Sequence, residues 1–287
     1  MLPFVYLVAR PRPARTPLHN RAVRLRSLGY RTDLIFPRYE GEILDRNDYL
    51  VVRTPKNPGF YWGNFLLFDH PPTEGDLGRW EELFRREIGG PPETGHLAIG
   101  WDSTTGEPGR IVPFIEAGYH REENITLTAE RLTPPSRRNG DIHVRPLVSD
   151  ADWEAALENQ IACFLEDYEP VSYREYRTGA MSRYRAMVEA GLGIWYGAFL
   201  GDTPVGDLGV FVDETQTLGR FQAVATHPDF RRRGICSTLV ATAGQDAQER
   251  FGVSQLVIAA DPGYHAVRIY ESLGFSPTER QIGVCKA

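Results

Sequence analysis

The chain has only three cysteines, Cys163, Cys236 and Cys285, in 287 residues, too few and too scattered for a disulfide framework or a zinc site. That scarcity fits a reducing cytoplasm, and no metal is expected. An excess of positive charge is also missing, since 32 Lys and Arg against 38 Asp and Glu leave a net charge of −6. A general nucleic-acid binder needs a broad basic surface, so no nucleic-acid partner is expected. Long apolar runs are absent too. Leu2 to Ala9 is too short to span a bilayer and has no charged region ahead of it, so it reads as a first strand and no membrane partner is expected. Two nucleotide-binding signatures are likewise absent: the Gly-Lys-Ser/Thr of a P-loop and the Gly-x-Gly-x-x-Gly of a dinucleotide site.

The composition that is present, 41% hydrophobic and 24% charged, is that of a globular protein long enough for about two domains. Pro and Gly gather in loops such as Pro55 to Gly59, Pro71-Pro72 and Gly89 to Pro92. A further stretch, Thr133 to Gly140, separates two patterned regions and sets a boundary between residues 1–139 and 140–287.

The most informative stretch is His227 to Val240, which reads as the end of strand Arg220–Thr226, a basic loop with Gly234, and the start of a helix running from Cys236 towards Gln248. Pro228 bars further ladder pairing. The first N–H groups of a helix lack intrahelical partners and carry partial positive charge, so the junction suits a phosphate. Standing alone, three arginines are most often a solvated face and a lone glycine a turn signal. Downstream, however, Gln255–Ala260 reads as a strand, and Tyr264–Leu273 as a helix closed by Gly274 and followed by Phe275.

The order Arg-x-x-Gly-x-small from Arg231 to Cys236 resembles the acyl-CoA pyrophosphate loop of the GNAT N-acetyltransferases, with Cys236 in place of the usual Gly or Ala. Ala266 to Phe275, carrying Tyr270 and ending in Leu-Gly-Phe, is similar to that family's second signature. The resemblance implies acetyl-CoA held between strands Phe221–Thr226 and Leu256–Ala260. Val224, Ala225 and Thr226 would pair with the pantetheine arm, and Arg231, Arg232, Arg233, Gly234, Ile235, Cys236 and Ser237 would hold the pyrophosphate. Tyr270 would be the catalytic acid for the departing thiolate; a core aromatic is its other reading.

The two halves share a pattern. Gly63–His70 lies over Gly219–Thr226, His96–Ile99 over Gln255–Ile258, and Phe114–Tyr119 over Tyr270–Phe275. The first copy lacks the chemistry, with an acidic Thr73–Arg79 where the second has its arginines, and Phe114 where it has Tyr270. The expected fold is therefore α/β of the α+β type: two tandem GNAT-like domains, the first degenerate, each a mixed, mostly antiparallel sheet flanked by helices. The second half reads β-α-α-β-β-β-α-β-α-β, with Asp150 or Asp152 capping its first helix. The first copy is free to form a homodimer, brace the second or wall its cleft.

The general base stays open. Some family members carry Glu where this chain has Arg220, and the family Asn falls near Gly263. The alternatives are Glu166, Asp167, Glu169, Asp207, His227 or a chain of waters. Tyr168, Tyr173, Tyr176, Tyr184 and Trp195 crowd the segment that forms the family's acceptor cleft, or else fill the core. The resemblance implies direct acetyl transfer to a primary amine of a small molecule or peptide. The rival is a non-catalytic acyl-CoA-binding regulatory module.

Overall fold

The computed structural model describes residues 23–90, 94–164 and 170–287. The Leu2–Ala9 strand, together with Glu166, Asp167, Tyr168 and Glu169, lies outside the described residues. The first half runs α1 (Leu28–Asp33), α2 (Ile35–Glu40), β1 (Glu42–Asp45), β2 (Tyr49–Arg53), β3 (Phe65–Phe68), α3 (Asp76–Glu87), β4 (Leu97–Trp101), α4 (Val112–Glu116) and β5 (His120–Ala129). The second half runs β6 (Ile142–Pro146), α5 (Asp150–Phe164), α6 (Pro170–Glu189), β7 (Gly193–Leu200), β8 (Thr203–Val212), β9 (Leu218–Thr226), α7 (Ile235–Phe251), β10 (Gln255–Ala260), α8 (Ala266–Ser272) and β11 (Ser276–Lys286). That is the order expected for the second half.

The strands of both halves join in one sheet of order β1-β2-β3-β4-β11-β5-β10-β9-β8-β7-β6, in which only β3–β4 and β9–β10 are parallel. Each half lends its last strand to the other. Strand β5 pairs with β10, from Leu256↔Ala129 to Ala260↔Ile125, and β11 pairs with β4, from Gly283↔Gly100 to Lys286↔Leu97. The two lent strands also pair with each other. Without the exchange β4 and β10 would be bare sheet edges.

Apolar faces fix the layers. Leu239, Val240 and Ala243 of α7 pack on Val210 and Leu256, while Ala180 and Tyr184 of α6 cover Trp195 and Phe211. In the first half Trp80 and Phe84 of α3 pack on Phe68 and Trp101. The start of α5 is held by a reciprocal box, with Ser149 Oγ accepting the Asp152 N–H at 3.1 Å and the Asp152 carboxylate accepting the Ser149 N–H at 3.1 Å. Ser149 is thus the cap and Asp152 its partner inside the helix.

The internal repeat recurs in backbone conformation. Helices α3 and α7 both start after a left-handed glycine, Gly75 (φ +84°) and Gly234 (φ +74°). Gly118 (φ +88°) and Gly274 (φ +94°) occupy the same place after α4 and α8. Among the described residues no helix is long and apolar enough to cross a membrane.

Candidate active site

Strands β9 and β10 pair only from Leu218↔Gln255 to Arg220↔Val257 and then part. Beyond that point β10 stays with β5, while β9 bulges: its register with β8 shifts between Asp207 and Gly209, and Ala223 takes φ +50°. A left-handed alanine costs on the order of 1 kcal/mol. Gln160 Nε2 holds it by donating to the Ala223 carbonyl at 2.7 Å. Parted strands also leave main-chain carbonyls to satisfy. Arg220 Nε donates to Phe221 O at 3.1 Å, and Cys163 Sγ and Arg231 Nε donate to Thr226 O, each at 3.3 Å.

The wedge holds a cavity of about 710 Å³. It is lined by Val224, Ala225 and Thr226 of β9, by Arg231, Arg232 and Gly234 to Ser237 of the loop and the start of α7, and by Tyr270 of α8. Arg233 is the exception among the expected site residues. Its guanidinium lies 5.1 Å from the Phe230 ring and donates to Asp229 O at 3.2 Å, so only its main chain serves the loop. Gly234 is required twice over: it is left-handed, and a Cβ there would fall 2.4 Å from the Arg137 carbonyl. Arg232 is also left-handed, φ +63°, and backbone strain of this kind tends to mark ligand sites.

Acyl-CoA fits this lining. The N–H groups of the first turn of α7 have no intrahelical acceptors. The Thr226 hydroxyl, on the cavity wall, is buried without a partner, a cost a ligand amide would relieve. Tyr270 is 4% exposed, and its hydroxyl makes no hydrogen bond among the described residues. Burial, then the neighbouring Cys236 and Tyr264, hold its phenol above the usual tyrosine range. It therefore keeps its proton at neutral pH. Burial pushes the Cys236 thiol up to about 12, so it is not a nucleophile.

The alternatives for the base separate in space. Asp207 is buried beneath the bulge and accepts from Asn159 Nδ2 at 2.5 Å, Gln160 Nε2 at 2.7 Å and Trp195 Nε1 at 2.9 Å. Burial raises its carboxyl to about 6 against the lowering effect of those donors. It is outside the cavity lining, as is His227, whose Nδ1 faces the Asp229 N–H at 3.4 Å. Arg220 binds Asp33 at 2.8 Å and Thr32 Oγ1 at 2.6 Å, tying the point where the strands part to α1. Gly263 offers only its N–H, which donates to Asp261. Tyr173, Tyr184 and Trp195 belong to the core, whereas Tyr176 is exposed, its ring 6.3 Å from Phe60 of the first half.

Among its described residues the first half has no such wedge. Strands β3 and β4 stay paired through Phe68↔Trp101, and Asp102 N–H continues the ladder to Phe68 O. Trp80 stacks on Phe68 at 3.9 Å, with Phe114 at 5.7 Å. At the start of α3, the Asp76 carboxylate takes the Thr73 N–H and hydroxyl, both at 2.7 Å.

The linker is part of the site, which sequence reasoning missed along with Cys163, Tyr264 and His265. Ser136 and Arg137 line the cavity beside Gly234 and Ser237. The basic pair Arg137-Arg138 was the one available signal. Nothing local shows that it folds back onto a loop nearly a hundred residues away.

A sheet parted beside a glycine loop, with a tyrosine across the gap, defines a GNAT-type acyltransferase fold. Residues 153–275 match the Acetyltransferase (GNAT) family, whose general activity is N-acyl transfer and whose usual donor is acetyl-CoA. The whole fold is similar to a GCN5-related N-acetyltransferase from Kribbella flavida (TM-score 0.64, 15% identity, covering 94% of this chain and 96% of that one). It is also similar to a functionally unknown conserved protein from Staphylococcus epidermidis ATCC 12228 (TM-score 0.65, 15% identity, 86% and 94% covered). A tandem GNAT protein from the clavulanic acid biosynthesis pathway shares the fold at TM-score 0.52 and 15% identity, with 77% of each chain covered. No curated protein matches the chain in sequence.

Proposed function

We propose that residues 140–287 form an N-acetyltransferase that moves the acetyl group of acetyl-CoA to a primary amine of a small-molecule or peptide acceptor. Residues 1–139 then form a degenerate GNAT-like half that no longer takes a donor. The carrying observation is the single cavity that gathers the parted strands, the left-handed Gly234 loop and the buried, protonated Tyr270. On this reading Val224, Ala225 and Thr226 align the pantetheine arm and the N–H groups from Arg231 to Ser237 hold the pyrophosphate. A neutral amine attacks the thioester carbonyl within the ternary complex, forming a C–N bond as the C–S bond breaks. Tyr270 gives its proton to the leaving thiolate. The proton lost by the amine passes to solvent along waters, because Asp207, enclosed by Asn159, Gln160 and Trp195, lies outside the cavity lining. A cytoplasmic site of action, without nucleic acid or membrane, and assembly as a homodimer belong to the same proposal, the last checked by sedimentation.

A second reading uses the same cavity without turnover, as an acyl-CoA-binding regulatory module. It draws on Arg220, whose ion pair with Asp33 fills the position where some relatives place a base. Two measurements separate the readings: thermal stabilisation by acetyl-CoA, and free-thiol release across a panel of amines. Stabilisation with release is the result expected of the enzyme, and stabilisation without release over the whole panel that of the module. No stabilisation well above micromolar donor sinks both.

A further inference from the structure

We infer that Arg137, in the linker between the halves, is the residue that selects for the 3′-phosphate of coenzyme A; this rests on the acyl-CoA reading above. The linker is fixed against the phosphate end of the cavity at several points. Arg137 O accepts the Ser237 hydroxyl at 3.4 Å, and its position leaves no room for a Cβ at Gly234. Asn139 donates from its main chain to Thr238 Oγ1 and from its side chain to Arg233 O, both at 2.9 Å. Residue 137 is therefore held beside the first turn of α7, at the rim of the cavity.

Charge points to what this rim meets. Arg137, Arg231 and Arg232 line the cavity, and no Asp or Glu among the described residues does. Arg231 is already engaged with the carbonyls of Thr226 and Cys163, at 3.3 and 3.4 Å. Among the described residues, the guanidinium groups of Arg137 and Arg232 have no hydrogen bond or ion pair. Coenzyme A carries two separate anionic groups, a pyrophosphate diester and a 3′-phosphomonoester with close to two negative charges at neutral pH. The loop N–H groups and Arg232, which is part of the loop, suit the pyrophosphate. With the thioester at Tyr270 and the pyrophosphate on the loop, the adenosine end runs on past the loop, where Arg137 lies against Gly234 and Ser237. A planar guanidinium there matches the terminal oxygens of a phosphomonoester. Donor selection thus comes from a residue outside the 153–275 segment that matches the family.

Titration calorimetry on the full chain, at physiological salt, with coenzyme A and 3′-dephospho-coenzyme A as probes, tests this. The unmodified chain is expected to prefer coenzyme A by about tenfold or more, the worth of a charge-assisted pair. Arg137→Gln should remove that preference while leaving the dephospho form bound as before, and Arg137→Lys should keep part of it. Arg232→Gln should weaken both probes alike. Equal weakening of both by Arg137→Gln, or weakening of neither, overturns the assignment while leaving the donor site intact. Failure of the unmodified chain to bind either probe overturns the donor reading as well.

Discussion

Tyr270 and Asp207 show how burial sets the protonation of single side chains at this site. Burial, then the neighbouring Cys236 and Tyr264, hold the phenol above the usual tyrosine range, so it remains a proton donor across the physiological range. Tyr270→Phe should lower kcat by roughly 10²-fold, the usual worth of a general acid, while acetyl-CoA stabilises the variant as well as the parent. Unchanged thiol release with an identified acceptor would remove Tyr270 from the mechanism. For Asp207 the folded carboxyl titrates at about 6 and the free one at 3.8, so between those values the folded state holds a proton that the unfolded state has lost. Stability due to this group therefore falls as pH rises through that window and is level above it, by on the order of 3 kcal/mol in all. Urea unfolding from pH 4 to 7 should show the parent losing that much relative to Asp207→Asn; a flat difference counts against the assignment. Asp207 stood in the sequence as one acid among several, because burial and the three donors around it come from elements far apart in the chain.

At the scale of elements, the donor wedge is made by what β9 does after Arg220. A bulge and a left-handed alanine turn the strand, Gln160 and Cys163 reach from α5 to take up its carbonyls, and α7 begins where β9 ends. Gly234 is the pivot of that junction. Gly234→Ala should cost about 1–3 kcal/mol and abolish stabilisation by acetyl-CoA, since the methyl must displace the linker. Gly75→Ala is the control: its φ of +84° carries a similar backbone cost, but nothing lies within 4 Å of the added carbon, so donor binding should be untouched. If both variants keep the donor response in thermal scans, the loop does not work as described. These elements were largely legible in the sequence, because Pro228, Gly234 and Gly274 punctuate them locally. The bulge and the parting of the strands were not, since both depend on pairing partners that no local pattern names.

At the scale of the molecule, the halves are joined by more than a linker. Strand β11 lies between two strands of the first half, β5 completes the sheet of the second, and Arg220 crosses to Asp33. Residues 1–139 and 140–287 made separately would each expose an unpaired edge and lose the other's strand. Each fragment alone should be insoluble or aggregated, and the two should copurify when made together. A soluble, monomeric 140–287 on size-exclusion chromatography would contradict this. In the first half the β3–β4 ladder stays closed, with Trp80 stacked on Phe68.

The sequence by itself determined the class of fold, the repeat and the arginine-glycine loop, because strand periodicity, helix caps and left-handed glycines are local and leave their mark on neighbouring residues. It also marked the first copy as lacking the loop's charge. Only the tertiary structure decided which strands the halves exchange, that Arg220 is a tie between halves, that Arg233 turns away, and that the linker brings Arg137 to the cavity. Each of these depends on burial and on partners distant in the chain, and such contacts are fixed only when the whole sheet closes.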